Sequence, residues 1–252
     1  MTQRRKDLIH ALLKGIETGD PASVAVVNQE KYIQHNPQTA EGGEGLEVLF
    51  KRLAKTSPRV NIVRIFSDGD FVFAHTAYDF STSRVGFEIF RFEGDQAVEH
   101  WDNIQVRRGP NGAGHTMVDG STQVTDLDQT ERNRNLVRSF VATVLTQRHL
   151  NELEAYIDEG NFIDHNPRLA GLAELREALA NSENDKSIRY ERLHRVLAEG
   201  NFVLAVSEGA LNGVHTSFFD LFRIADGRVV EHWDTTEAIP PRSEWKNQNG
   251  KF

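Results

Sequence analysis

The chain has 252 residues, of which 38% are hydrophobic and 26% charged, with a formal net charge of −8. This is the composition of a folded protein with one large domain or two of about 125 residues each. The 15 Phe and 3 Trp exclude disorder, the acidic balance excludes a general nucleic-acid partner, and the absence of cysteine excludes a thiol nucleophile, an iron–sulfur cluster and a disulfide framework.

In chain order, the first signal is helical. Leu8, Ile9, Leu12, Leu13 and Ile16 recur at helical spacing, and Gly19-Asp20-Pro21 stops the pattern. The preceding Arg4, Arg5 and Lys6 are not followed by the apolar run of a signal peptide, and no segment has the length of a membrane span. These features lead to the expectation of a cytoplasmic protein without membrane contact. A short second helix fits residues 22–28. Then comes His35-Asn36-Pro37, an extended exit or turn, because proline disfavours helix in the residue before it. A third helix fits 45–53. Four strand-like runs follow at 60–66, 71–80, 85–92 and 97–105, joined by turn signals such as Asp68-Gly69-Asp70 and Glu93-Gly94-Asp95.

The pattern then starts again. Helices fit 136–145, 150–157 and 173–179, and strands fit 188–197, 202–211, 216–224 and 229–235. Tyr32-Ile33-Gln34-His35-Asn36-Pro37 recurs as Phe162-Ile163-Asp164-His165-Asn166-Pro167, and Val98-Glu99-His100-Trp101-Asp102 as Val230-Glu231-His232-Trp233-Asp234. Between residues 87–102 and 219–234, eight of sixteen positions are identical, where chance gives about one. The sequence therefore reads as two copies of one α+β module, helices first and an antiparallel meander after. The expected division is 1–112, a linker over 113–128, a second module over 129–240 and a tail over 241–252.

Strand alternation sorts the chemistry. On the last strand His232 and Asp234 share a face, opposite Glu231 and Trp233. A hairpin register of even residue sum adds Asp220 to the face of His232 and Asp234, and sets Arg223 beside Glu231 behind it. In the first copy the same register gathers Glu88, His100 and Asp102. Two acids and an imidazole on an apolar face, twice in one chain, are candidates for acid/base chemistry in a pocket. The turn does not account for His35 and His165, and an imidazole at a helix exit is expected to aim at the same pocket.

These motifs, with Asp68-Gly69-Asp70-Phe71-Val72-Phe73 and Phe87-Glu88-Ile89-Phe90-Arg91, resemble the SnoaL-like polyketide cyclase family of the NTF2-like, ketosteroid-isomerase-like superfamily. The resemblance implies two tandem cone-shaped α+β barrels, each with an internal apolar pocket. It implies sheet-mediated pairing, made within the duplicated chain as a pseudo-dimer or between chains as a homodimer. It further implies aldol-type ring closure of a small hydrophobic carbonyl ligand without metal or organic cofactor. Asp102 and Asp234 match the family's general base. Glu88 and Asp220 stand where some cyclases carry histidine. In this scheme Asp234 takes an α-proton, His232 or His165 donates a hydrogen bond to the enolate, and Glu88 and Asp220 act as further donors. Three other readings share these residues: an isomerase, dehydratase or epoxide hydrolase on the same fold, a non-catalytic ligand-binding module, and a metal-dependent double-barrel protein.

Overall fold

The computed structural model describes residues 2–180 and 187–252. The chain divides into two compact units, Met1–Val106 with Ile239–Phe252, and Arg107–Ala238. Each is α+β, with helices on one face of a five-stranded, mostly antiparallel sheet.

In the first unit, α1 (Thr2–Thr18) ends where Gly19 takes a positive φ and returns its N–H to Gly15. A 3₁₀ turn over Pro21–Val26 follows, with the Asp20 side chain capping Ala22 N–H. Next come β1 (Ile33–Gln34), α2 (Gly42–Ala54), β2 (Arg59–Asp68), β3 (Phe71–Asp79), β4 (Ser83–Glu93) and β5 (Gln96–Val106), in sheet order β1-β5-β4-β3-β2. Ile9, Leu12, Leu13 and Ile16 of α1 form one core with Val72, Ala74 and Phe90 of the sheet. That burial is what holds the amphipathic helix against the strands.

The second unit repeats this plan. It has α3 (Thr130–Phe140), continued as a π-helical turn over Val141–Thr146, then α4 (Leu153–Tyr156), β6 (Ile163–Asp164), α5 (Leu172–Ala180), β7 (Ile188–Glu199), β8 (Phe202–Leu211), β9 (Val214–Ala225) and β10 (Arg228–Ala238). Its sheet order is β6-β10-β9-β8-β7. Phe140 meets Phe222 edge to face at 5.6 Å in the core between helix and sheet.

Two features depart from the expected pattern. The His-Asn-Pro segments are preceded by two-residue parallel strands: Gln34 pairs with His100, and Asp164 with His232. Each closing hairpin also uses both registers. Next to the turns the pairing is odd, Phe92 with Ala97 and Ile224 with Val229. A bulge that passes over Val98 and Val230 then shifts it, so that Arg91 pairs with Glu99 and Arg223 with Glu231. From there the even register holds, and Glu88 pairs with Asp102 and Asp220 with Asp234.

Residues 113–128, read as a linker, are folded into the second unit, and the tail into the first. The physical reason is a buried asparagine, just ahead of the first segment and inside the second. Asn111 Nδ2 reaches the carbonyls of Asp164, Asn166 and Leu169 at 2.7–3.2 Å. Asn247 Nδ2 reaches those of Asn36 and Thr39 at 2.7 and 3.0 Å. Both straps thus pin the loop after the short parallel strand, a segment with few backbone partners of its own. Asn111→Ala and Asn247→Ala are each expected to lower stability by about 1–3 kcal/mol, the cost of leaving buried carbonyls unpaired. Urea unfolding of the two variants measures this.

Candidate active site

Each site is assembled on the last strand. In the second unit Asp234 lies 6% exposed beside Asp220 and His232, also buried. The His232 ring is held at both nitrogens. Nδ1 bonds Asp164 Oδ1 at 3.1 Å and Nε2 bonds Asp220 Oδ1 at 3.0 Å. Tyr190 donates its hydroxyl to Asp220 at 3.0 Å. Asp164 Oδ1 also accepts the Asn166 N–H at 2.9 Å, so the short parallel strand and the His-Asn-Pro turn orient this acid together. Burial pulls the His232 pKa down, but the carboxylates, Asp164 first, outweigh it and hold the imidazolium well above the ordinary histidine range.

The first unit has the same chain of contacts with one charge fewer. His100 Nδ1 bonds Gln34 Oε1 at 3.0 Å, and Nε2 bonds Glu88 Oε2 at 2.8 Å. Tyr78 donates to Glu88 Oε1 at 2.7 Å. The two tyrosines come from different strands. Val60 pairs with Tyr78 across β2 and β3, whereas Tyr190 pairs with Gly209 across β7 and β8. The hydroxyl has moved to the other member of the equivalent strand pair, yet it reaches the same acid. Comparing the two halves residue by residue conceals it. Gln34, Asp164, Asn36 and Asn166 had been visible only as parts of a turn motif.

Both rows end in an aspartate. Asn166 Nδ2 donates to Asp234 Oδ2 at 2.8 Å, and Asn36 Nδ2 to Asp102 Oδ2 at 2.7 Å. In both residues Oδ1 is buried and has no hydrogen-bond partner. Burial drives the Asp234 carboxyl up to about 6. His232 and Arg168 oppose that rise, and Asp220 and Asp164 add to it. A cation stands near each acid, again from different sources. Arg168 Nη2 lies 3.8 Å from Asp234 Oδ2, while Lys251 of the tail lies 3.6 Å from Asp102 Oδ1 and donates to the Asp102 carbonyl at 2.7 Å. Arg168 also lines a cavity of about 480 Å³ with Leu169, Ile188, Leu211 and neighbours. This volume is in the range of small-molecule sites.

The expected roles of two histidines need correction. His35 and His165 do not join the acids. Because Gln34 and Asp164 face the cluster, the next residue of each strand turns to the opposite face. There His35 stacks on Trp101 at 4.7 Å and bonds Glu99 at 2.9 Å, and His165 stacks on Trp233 at 4.7 Å and bonds Glu231 at 3.0 Å. His100 and His232 do face the acids, with both ring nitrogens of each engaged by protein groups. Glu88 and Asp220 each accept a hydrogen bond from tyrosine and face the histidine of their row. Glu88, His100 and Asp102 each bring a ligand atom within 4.8 Å of the others, as a metal would require. The Lys251 ammonium beside Asp102 opposes a second cation there.

Residues 137–232 match the SnoaL-like domain family. No curated protein matches the chain. Similar solved structures include TsrD from Streptomyces laurentii, with 20% identity over 41% of this chain and 89% of that one and a TM-score of 0.38. An LEH-like epoxide hydrolase from M. tuberculosis gives 18% identity, 41% and 84% coverage and a TM-score of 0.37. An NTF-2 like protein from Burkholderia xenovorans LB400 gives 16%, 44% and 89%, with a TM-score of 0.38.

The raised Asp234 carboxyl has a consequence for stability. With a folded pKa of about 6 and an unfolded one of about 3.9, the folded state holds the proton more tightly. The associated stability is complete below the unfolded value and is lost as pH rises through 6. Relative to Asp234→Asn, the wild type should lose about 2.4 kcal/mol between pH 4 and pH 8. Paired denaturation curves across that range check both sign and size.

Proposed function

Taking residues 137–232 as a SnoaL-like domain, we propose that the chain is an acid/base enzyme that needs no cofactor, removing a proton α to a carbonyl and directing the enolate into an aldol-type condensation or cyclisation. Asp234 is the base, and Asp102 plays that part in the first unit. The observation that carries this reading is the buried Oδ1 of Asp234, which accepts no hydrogen bond; that of Asp102 accepts none either, with the Lys251 ammonium 3.6 Å away. A carbon acid offers its proton weakly, so the base that takes it needs a free lone pair and a pKa close to the working pH. A carboxyl held at about 6 meets the second condition, and the asparagine tie on Oδ2 meets the first by fixing which oxygen faces the ligand.

The remaining groups follow from their contacts. His232, between Asp164 and Asp220, keeps a positive charge near Asp234, so that ionisation of the base is not prevented by its acidic neighbours. Arg168 lies 3.8 Å from the Asp234 carboxylate and also lines the cavity, and in this reading it stabilises an enolate oxygen. Leu169, Ala178, Ile188 and Leu211 give the cavity an apolar part and Arg168, Glu174, Glu177 and Asn212 a polar one, and in this reading a small carbonyl compound lies along the former with its oxygen at Arg168.

Proton abstraction can be tested before the natural substrate is known. In D2O, with a panel of small apolar ketones and β-dicarbonyl compounds, the wild type should accelerate exchange of α-protons as read by NMR. The rate should rise with pH through about 6, following the ionisation of Asp234. The double variant Asp102→Asn, Asp234→Asn should lose at least a hundredfold of that rate and keep the native circular dichroism spectrum. Equal rates in variant and wild type would refute the assignment of the base.

A further inference from the structure

The face of the second unit's sheet opposite the acids carries a cluster that this chemistry does not use. His165 stacks on Trp233 with centroids 4.7 Å apart and planes 8° from parallel. Its Nε2 bonds Glu231 Oε1 at 3.0 Å, and Glu231 Oε2 accepts from Arg223 Nε at 2.6 Å. On the other side of the ring, Nδ1 looks into the strap, 2.6 Å from Asp119 Oδ1 and 2.8 Å from the Thr116 carbonyl. His115 of the strap packs edge-on to the same ring, with centroids 5.5 Å apart. His115, Asp119 and His165 each present one ligand atom, and all three atoms lie within 4.8 Å of one another.

We propose that His115, Asp119 and His165 bind one transition-metal ion of the Zn²⁺ or Co²⁺ type, which fastens residues 107–120 to the sheet of the second unit. Two imidazoles and a carboxylate select these metals over Mg²⁺ and Ca²⁺, which take oxygen ligands. Bonds of about 2.0–2.1 Å in tetrahedral geometry place ligand atoms about 3.4 Å apart. Rotations of the half-exposed His115 and the exposed Asp119 supply that adjustment. The surroundings are those of a metal-bound histidine. A carboxylate fixed by an arginine accepts the Nε2 N–H, and the metal would displace the proton that Nδ1 now donates to the Thr116 carbonyl and Asp119. Gly120 lets the strap come this close. Its φ is +85°, and a Cβ there would overlap Glu231 Oε1.

The first unit supplies an internal comparison. There His35 stacks on Trp101 at 4.7 Å, its Nε2 bonds Glu99 at 2.9 Å, and Glu99 accepts from Arg91 at 2.7 Å. The Nδ1 of that ring meets the Gly250 carbonyl at 2.9 Å. Four residues after the strap's buried asparagine the first unit carries Lys251, and the second carries His115. A cradle of histidine, tryptophan, glutamate and arginine is therefore enough to anchor a strap. The second imidazole and the carboxylate are what the second unit adds, and they complete a ligand set.

The test uses the full chain, freed of metal with a chelator and titrated with Zn²⁺ by calorimetry and with Co²⁺ by visible absorption. The expected result is one equivalent bound with micromolar or tighter affinity and ligand-field bands of low-symmetry Co²⁺. His115→Gln and Asp119→Asn, both on the strap surface, should each weaken binding at least tenfold and leave circular dichroism unchanged. Asp102→Asn should bind as the wild type does, which separates this site from the acids of the first unit. Absence of saturable binding, unchanged affinity in both strap variants, or loss of binding in Asp102→Asn alone would overturn the proposal.

Discussion

The interaction on which both sites depend is the hydrogen bond from the asparagine of His-Asn-Pro to one oxygen of the last aspartate on the closing strand. It fixes the carboxylate plane and leaves the second oxygen buried without a hydrogen-bond partner, with Lys251 3.6 Å from that of Asp102. An unpaired buried carboxylate oxygen is costly, and folds seldom keep one without a use. Here the cost is carried twice, at Asp102 and Asp234, by the same geometry. The asparagine is placed by its own side-chain turn and by the two-residue parallel strand before it, and the strap asparagines Asn111 and Asn247 pin the carbonyls of that loop.

The two units reach one arrangement by different residues. Tyr78 and Tyr190 approach their acids from different strands. The cation near the base is a tail lysine in one unit and a loop arginine in the other. Gln34 and Asp164 hold the same ring nitrogen with and without charge. What is maintained is the position of a hydroxyl, an imidazole, an acid and a cation, and a purely structural core would have no need to maintain them through changes of sequence. In the second unit burial lowers the His232 pKa, and the extra carboxylate, Asp164, leads the groups that raise it above the ordinary histidine range.

Much of this was legible in the sequence. Helical spacing and strand alternation located the helices and meander strands of both units, because those segments are long enough for periodicity to show. The cross-strand pairing of Glu88 with Asp102 and of Asp220 with Asp234 followed from parity, since Arg91–Glu99 and Arg223–Glu231 make sense only behind the acids. The bulges at Val98 and Val230 were not legible, yet they are what reconcile tight turns with that parity. His35 and His165 were misplaced because a two-residue strand has no period. Only its pairing, Gln34 with His100 and Asp164 with His232, reveals that the following histidine points away. The straps escaped notice because single asparagines in Gly- and polar-rich segments look like surface loop until the carbonyls they satisfy are known.

Asp234 holds an oxygen without a hydrogen-bond partner in a buried, acid-rich interior. The most direct measurement is a ¹³C carboxyl NMR titration of Asp234 in the folded protein. A midpoint of about 6 is the predicted result. A midpoint near 4, where a solvated aspartate titrates, would show an ordinary exposed carboxylate and contradict the account.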